Sequence, residues 1–332
     1  MIQYADVVCG LAWGDEAKGK ITSQLASSKD YNYVCRWAGG SNAGHTVYLK
    51  GNKYKTHLIP SGVFYGIPSI IGPGCVINKD KFLSELLYLQ ENGFDISTIK
   101  VSPRAHVVTD KHLIKDKRKL HQALGTTANG IAPCYADKAA RTGILAKEIL
   151  SEKLLWDEKI SGKVLCEGAQ GIWLDLDWGE YPYVTSSNTL PYGACSLGIP
   201  PQKIRNIYGA AKIYDTRSGV DPKFPDNLLE NQELLKIADQ GNEFGVTTGR
   251  RRKVNWLNLT MLLRAINLTG TTHLIISKVD ILDSVSSYKV YVGDYLRVFE
   301  NINSMKNFIL DKVYANCPLI SEIKFSDSPE RI

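Results

Sequence analysis

The first twenty residues restrict this chain more than any other segment. An unbroken apolar run, Val7-Val8-Cys9-Gly10-Leu11-Ala12, gives way at once to Trp13-Gly14-Asp15-Glu16-Ala17-Lys18-Gly19-Lys20, then to a helical pattern through about Ser27. A short apolar run without polar interruption fits a strand buried on both faces, as in parallel sheets covered by helices. A glycine turn between such a strand and a helix offers backbone N–H groups and a lysine at a helix N-terminus, where phosphates bind. Gly14, Gly19 and Lys20 have the G-x-x-x-x-G-K spacing, but Ile21 stands where Ser or Thr ordinarily holds Mg²⁺. A chance glycine turn is the competing reading. The acidic pair Asp15-Glu16 is the informative departure, because a carboxylate beside a triphosphate is unfavourable unless it binds a metal ion or moves a proton.

The rest of the chain reads as α/β in one domain spanning 1–332, with no internal repeat, low-complexity tract or linker. Strands are expected at Ala5–Ala12, Tyr33–Arg36, Ser69–Gly72, Ile99–Val101, Val164–Glu167, Ile207–Tyr214, His273–Asp280 and Glu322–Phe325. Hairpins are expected to turn at Lys50-Gly51-Asn52 and near Gly293-Asp294. Helices are expected at about Lys81–Asn92, Lys138–Lys153, Val254–Leu268 and Ser304–Tyr314. Net charge is +6 among 332 residues, which suits an anionic substrate. The only notable basic run, Arg250 to Lys253, is too short for a nucleic-acid surface. Seven scattered cysteines without C-x-x-C fit buried thiols in a reduced cytoplasmic protein better than a disulfide framework or a zinc site. No apolar stretch is long enough to span a membrane, and the N-terminus lacks a secretion signal pattern.

Four further segments carry polar chemistry. Arg36 to Thr46 is a glycine-rich loop ending in Gly44-His45-Thr46, a pattern that suits a structural or a catalytic His45 equally. Glu167-Gly168-Ala169-Gln170-Gly171 and Tyr183 to Thr189 read either as capped turns or as recognition of a phosphate or base by amides and hydroxyls. Gly245 to Arg252 places Thr-Thr-Gly before three arginines, which suits bidentate capture of carboxylate, although a solvated face is the plainer alternative. Ser277-Lys278-Val279-Asp280 at a strand end is similar to the N-K-x-D pattern of guanine recognition.

Together these segments resemble adenylosuccinate synthetase over nearly the whole chain. W-G-D-E-x-K-G-K, G-G-x-N-A-G-H-T, H-L-I-P-S-G (His57 to Gly62), G-T-T, E-G-A-Q-G, Y-P-Y-V-T-S-S-N-T, G-N-E-F-G-x-T-T-G-R and K-x-D occur in family order. The resemblance implies a large central, mostly parallel sheet flanked by helices, working as a homodimer. It also implies a carbon–nitrogen ligase that joins L-aspartate to C6 of a 6-oxopurine mononucleotide, using a nucleoside triphosphate and Mg²⁺.

By that resemblance Asp15 takes the proton from purine N1, and O6 attacks the γ-phosphate to give a 6-phosphoryl intermediate. His45 stabilises the transferring group. Asp15 and the Gly44 carbonyl hold Mg²⁺. Lys20 and the loop at Gly14, Glu16, Lys18 and Gly19 bind the triphosphate, and Gln170 contacts O6. Asn42, Thr127 and Thr185 bind the 5′-phosphate, with Arg141 reaching in from the other subunit. Thr247, Thr248, Arg250 and Arg252 hold the aspartate carboxylates, with Arg252 also at the nucleotide. Lys278, Asp280, Ser328 and Pro329 face the triphosphate base.

The chain departs from the family pattern at Ala17 (usually Gly), Asn129 (usually Arg), Ser218 (usually Val) and Ser326-Asp327-Ser328-Pro329 (usually S-x-G-P). The departures gather at the nucleotide pockets, while Asp15 and His45 are kept. The compact length resembles archaeal and phage forms, and the favoured expectation is the phage type, which converts dGMP toward 2-aminoadenine with ATP or GTP. IMP with GTP is the alternative. Ser218 is the candidate for reading the purine C2 group. A non-catalytic GTPase-like switch would explain the first loop and Lys278-Asp280, but would show no aspartate-dependent phosphate release.

Overall fold

The computed structural model describes residues 1–245 and 249–332. Eight strands form the central sheet, in the spatial order Glu322–Phe325, His273–Ser277, Ile204–Lys212, Ile2–Gly10, Gly162–Glu167, Tyr33–Arg36, Ser69–Ile71 and Ile99–Val101. Every neighbouring pair is parallel. The expected large parallel sheet is therefore present. Its central strand, Ile2–Gly10, is buried from Ala5 onward, which is why its apolar run does not alternate.

Parallel strands align their C-terminal ends along one edge, and ligands of open α/β sheets bind outside that edge. Here the glycine loop leaves Gly10, the Gly39–Gly44 loop follows Arg36, and the Gly168–Gly171 turn follows Glu167. Lys278 follows Ser277, and the C-terminal loop follows Phe325. The segments singled out in sequence thus converge on one rim.

A second sheet, ordered Tyr214–Arg217, Lys253–Asn258, Lys289–Val292 and Tyr295–Val298, stands beside the first. The expected strand Ile207–Tyr214 is in fact two strands: Ile213 N–H donates to the Ser277 carbonyl at 3.0 Å, and the chain then turns into the second sheet. The expected helix Val254–Leu268 also divides. Residues 253–258 pair with both neighbours, and the Asn258 side chain then caps Leu259–Thr269 by accepting from Met261 N. The expected helix Lys138–Lys153 is wrong. The helix is Ile131–Ala140, closed by Arg141 in the left-handed conformation, and only single 3₁₀ turns follow at 146–148 and 152–154. The strand at His273 stops at Ser277, and residues 279–285 are helical.

Both expected hairpins form, at His45–Leu49 with Asn52–Thr56 and at Lys289–Val292 with Tyr295–Val298. The second is an arm of the four-stranded sheet rather than a free excursion. No cysteine is in a disulfide, and six of the seven are buried. Burial pushes the Cys75 thiol up to about 11, so it is protonated and inert at neutral pH. Among the described residues no helix is long and apolar enough to cross a membrane.

Candidate active site

A cleft of about 1060 Å³ opens along the rim. The glycine loop forms its floor. Glu16 is almost fully buried and accepts from Ala12 N at 3.1 Å, Gly14 N at 2.8 Å and Lys18 Nζ at 2.5 Å. A Cβ on Gly171 would lie 2.3 Å from Glu16 Oε1, so only glycine lets the two loops close on this carboxylate. Glu16 is therefore an internal staple, and its side chain does not line the cleft as a nucleotide contact would. With Glu16 turned inward, Asp15 faces outward, 30% exposed.

Asp15, Ala17, Gln170 and Lys278 all have left-handed backbones, with φ of 62°, 71°, 53° and 69°. This conformation costs non-glycine residues on the order of 1 kcal/mol each. Such strain persists where the surroundings over-determine it, most often at functional sites.

Asp15 belongs to a chain of alternating charges. Arg252 Nε lies 3.0 Å from Asp15 Oδ2, without the alignment of a hydrogen bond. Arg252 Nη1 donates to Glu243 Oε2 at 2.5 Å. Lys212 Nζ donates to the same oxygen at 2.8 Å and to Thr216 Oγ1 at 3.0 Å. Tyr214 OH donates to Glu243 Oε1 at 2.7 Å. Burial opposes ionisation of Glu243, yet Lys212 and Arg252 outweigh it and hold the carboxyl down at about 2.

His45 stands on the other side of the glycine loop. A Cβ on Gly19 would meet His45 Cβ at 2.8 Å, so the glycine admits the imidazole. His45 Nδ1 contacts Glu167 Oε1, and Glu167 also accepts from Ser61 N at 2.7 Å and Ser61 Oγ at 3.0 Å. Burial pushes His45 below its ordinary value. Burial would raise Glu167, but His45, Arg36 and the Ser61 N–H together hold it below the usual carboxylate range. The resting pair is therefore a neutral imidazole donating Nδ1–H to an ionised carboxylate, which leaves Nε2 for a ligand.

At the far end Lys20 Nζ donates to Ser326 Oγ at 2.6 Å and to the Ser328 carbonyl at 2.7 Å, tying the C-terminal loop to the glycine loop. Burial lowers Lys20 to about 8. Lys278 Nζ donates to the Gly241 carbonyl at 2.7 Å, and Asp280, Ser328 and Pro329 line the same part of the cleft. Gln170 and Ser218 line the same cleft, and Gln170 Oε1 and Ser218 Oγ are buried with no hydrogen-bond partner among the described residues. Buried polar atoms ordinarily find partners, so both mark places for a ligand or water.

Gly14, Lys18, Asn42, Gly44, Thr127, Thr185 and Arg250 line the cleft as expected. Arg250 Nη1 donates to the Gly125 carbonyl at 3.0 Å. Arg141 is exposed and lies outside the cleft. Thr247 and Thr248 fall outside the described residues. Residues that sequence reasoning left without a role also converge here, namely Glu167, Lys212, Glu243 and one face of the first hairpin. Thr46 pairs with Lys55 and Tyr48 with Lys53, and all four line the cleft. Between them, Val47 points into the core. The alternation in Thr46-Val47-Tyr48 signalled that face; Lys212 and Glu243 carried no local signal.

A family model described as adenylosuccinate synthetase matches residues 7–162 and 153–307. An adenylosuccinate synthetase of Lysinibacillus sphaericus is 38% identical over 342 residues, covering 86% of this chain and 79% of the relative. That of Halothermothrix orenii is 37% identical over 345 residues, covering 86% and 80%. Among solved structures, the fully ligated adenylosuccinate synthetase of Plasmodium falciparum superimposes with a TM-score of 0.84 at 25% identity, covering 99% of this chain and 98% of the other. The cyanophage S-2L succinoaminodeoxyadenylate synthetase bound to dGMP and dATP gives 0.77 at 19% identity, covering 99% and 94%, a likeness of fold alone. The chain belongs to the adenylosuccinate synthetase family, a family of carbon–nitrogen ligases.

Proposed function

We propose that this ligase joins the amino group of L-aspartate to C6 of IMP, with GTP as phosphoryl donor and Mg²⁺ as metal. The observation that carries the reading is Asp15, a carboxylate in a strained loop that faces the cleft while its neighbour Glu16 is stapled inward. Support for IMP and GTP comes from the names of the relatives at 37–38% identity and from Lys278 and Asp280 at the far end of the cleft.

Asp15 removes the N1 proton, which makes O6 nucleophilic toward the γ-phosphorus. The nucleoside diphosphate leaves, O6 carries the phosphoryl group, and the aspartate amine then displaces inorganic phosphate from C6. His45, protonated once the anionic triphosphate is beside it, donates to the transferring group. The Gln170 amide orients O6. Lys18, Lys20 and the loop N–H group at Gly19 hold the triphosphate, and Gly14, whose N–H is taken by Glu16, shapes the loop around it; Asn42, Thr127 and Thr185 hold the 5′-phosphate, with Arg141 supplied by the second subunit of a homodimer. Thr247, Thr248, Arg250 and Arg252 hold the aspartate carboxylates.

The site fits Mg²⁺ brought by a nucleotide. Among the described residues no cluster of three or more His, Cys, Asp or Glu forms a protein cage, and Mg²⁺ typically takes one or two carboxylates plus phosphate oxygens and water. Asp15 and the Gly44 carbonyl would be the protein ligands. The ion would neutralise charge on the phosphates.

dGMP, which the sequence favours, is kept as a second reading on one observation, the unpartnered buried Ser218 Oγ. That oxygen is an acceptor for a C2 amino group, which IMP lacks. Turnover of IMP and dGMP, each with ATP and GTP, ranks the four pairs. If Ser218 reads C2, Ser218→Val lowers the dGMP/IMP ratio of kcat/KM by about tenfold, the worth of one hydrogen bond. An unchanged ratio removes that role from Ser218.

A further inference from the structure

We infer that Glu243 is a positioning residue, the fixed anchor that holds Arg252 and the base of the 243–252 loop in the geometry that binds L-aspartate. The inference rests on the ligase reading above. Glu243 is fully buried and does not line the cleft, so it cannot itself touch a ligand. It closes the loop twice. Its backbone carbonyl accepts from Arg252 N at 2.9 Å, and its carboxylate accepts from Arg252 Nη1 at 2.5 Å. Phe244 bridges Arg251, and Gly245 N donates to the Arg250 carbonyl at 2.8 Å, continuing the closure upward.

The carboxylate is in turn fixed from below. Lys212, at the C-terminal end of a central strand, and Tyr214, at the start of the second sheet, both donate to it. One buried anion thus joins the rigid sheets to the loop that carries the arginines. The Arg252–Asp15 contact lacks hydrogen-bond alignment, whereas the Arg252–Glu243 bond is short and charge-assisted. Glu243 therefore sets the direction of the guanidinium, and Asp15 only faces its Nε. Fixing a ligand-binding arginine through a buried partner is what separates a present site from a preorganised one.

A double-mutant cycle tests this in the full-length protein, with steady-state kinetics and melting temperature for each variant. Glu243→Gln keeps the shape and removes the charge. It is expected to lower kcat/KM for L-aspartate by about 30-fold, the loss of a charge-assisted hold, with KM for both nucleotides within about threefold. Glu243→Asp is expected to recover part of the loss. In an Arg252→Leu background, Glu243→Gln is expected to add less than about threefold, because residues acting through one group are not additive. Should Arg252→Leu fail to fold, Arg252→Met, which keeps the length of the side chain and removes the charge, takes its place in the cycle.

Full additivity, or a lowered melting temperature with unchanged aspartate kinetics, would overturn the inference and leave Glu243 a structural ion. The two levels separate cleanly. If Arg252→Leu itself leaves aspartate kinetics unchanged, the ligand assignment of Arg252 is at fault. If it impairs them while Glu243→Gln does not, the anchor is at fault.

Discussion

Asp15→Ala is expected to lower kcat by about 10⁴-fold, because in the proposed mechanism Asp15 is both the base and a metal ligand. Folding should survive. Asp15 is partly exposed, and its partner Arg252 keeps Glu243. A pair of this exposure contributes about 1 kcal/mol or less. Alanine at φ 62° adds backbone strain, so Asp15→Asn is the cleaner companion: asparagine tolerates the left-handed conformation and preserves shape while losing basicity. Both variants are expected to be comparably inactive, with wild-type circular dichroism and nucleotide KM changed far less than kcat. Activity near wild type in Asp15→Asn would remove this residue from proton transfer.

The second large effect concerns His45 and the carboxylate behind it. His45→Asn is expected to lower kcat by about 10²- to 10³-fold, the range for one preorganised donor to a developing oxyanion. Glu167→Gln should lower kcat less and shift its pH profile. An ionised carboxylate favours the imidazolium, so losing that charge lowers the imidazole pKa in the complex. Since the donor is the protonated form, activity is lost as pH rises through that pKa. The alkaline limb of kcat against pH is therefore expected to move to lower pH, by about a unit for a lost interaction of 1.4 kcal/mol. Glu167 also accepts from Ser61 N, which the glutamine carbonyl can still receive, but the amide NH2 then faces His45 Nδ1, so the melting temperature is measured with the kinetics and the pH limb is read only in the folded variant. An unmoved limb would mean that Glu167 merely fills space.

The sheet and its functional rim were legible because their signals are local. A buried parallel strand shows as an uninterrupted apolar run, and a glycine turn before a helix marks where phosphates go. The segments of Asp15, His45, Gln170 and Lys278 follow strands of the parallel sheet, which brings those four to one cleft, and Arg252 joins them from the segment before the second sheet. The errors have physical causes. The first residues of the helix expected over Val254–Leu268 fit helical spacing at Val254 and Leu257, but pairing with two strands makes residues 254–258 extended. Lys138–Lys153 is rich in Ala, Lys and Leu, good helix formers, but the chain turns at Arg141 to reach the bridge between His106 and Leu145.

Glu16 shows the limit most plainly. Side by side with Asp15, it is chemically indistinguishable in sequence. The clasp of Gly171 and two backbone N–H groups turns it inward and leaves Asp15 as the only carboxylate of that pair facing the cleft. Glu243 and Lys212 could not be found from spacing either, since their partnership joins the loop after Gly241 to the end of a central strand and exists only once both sheets are built.

The central claim is that the purine O6 takes the γ-phosphoryl group and leaves C6 as part of inorganic phosphate. The direct measurement is turnover of a mononucleotide carrying ¹⁸O at C6, with L-aspartate and GTP, followed by mass analysis of the phosphate released. Transfer of the label from C6 into inorganic phosphate is the expected result. Phosphate that takes its new oxygen from solvent water, with release independent of aspartate, would contradict the account and leave a nucleotide hydrolase in its place.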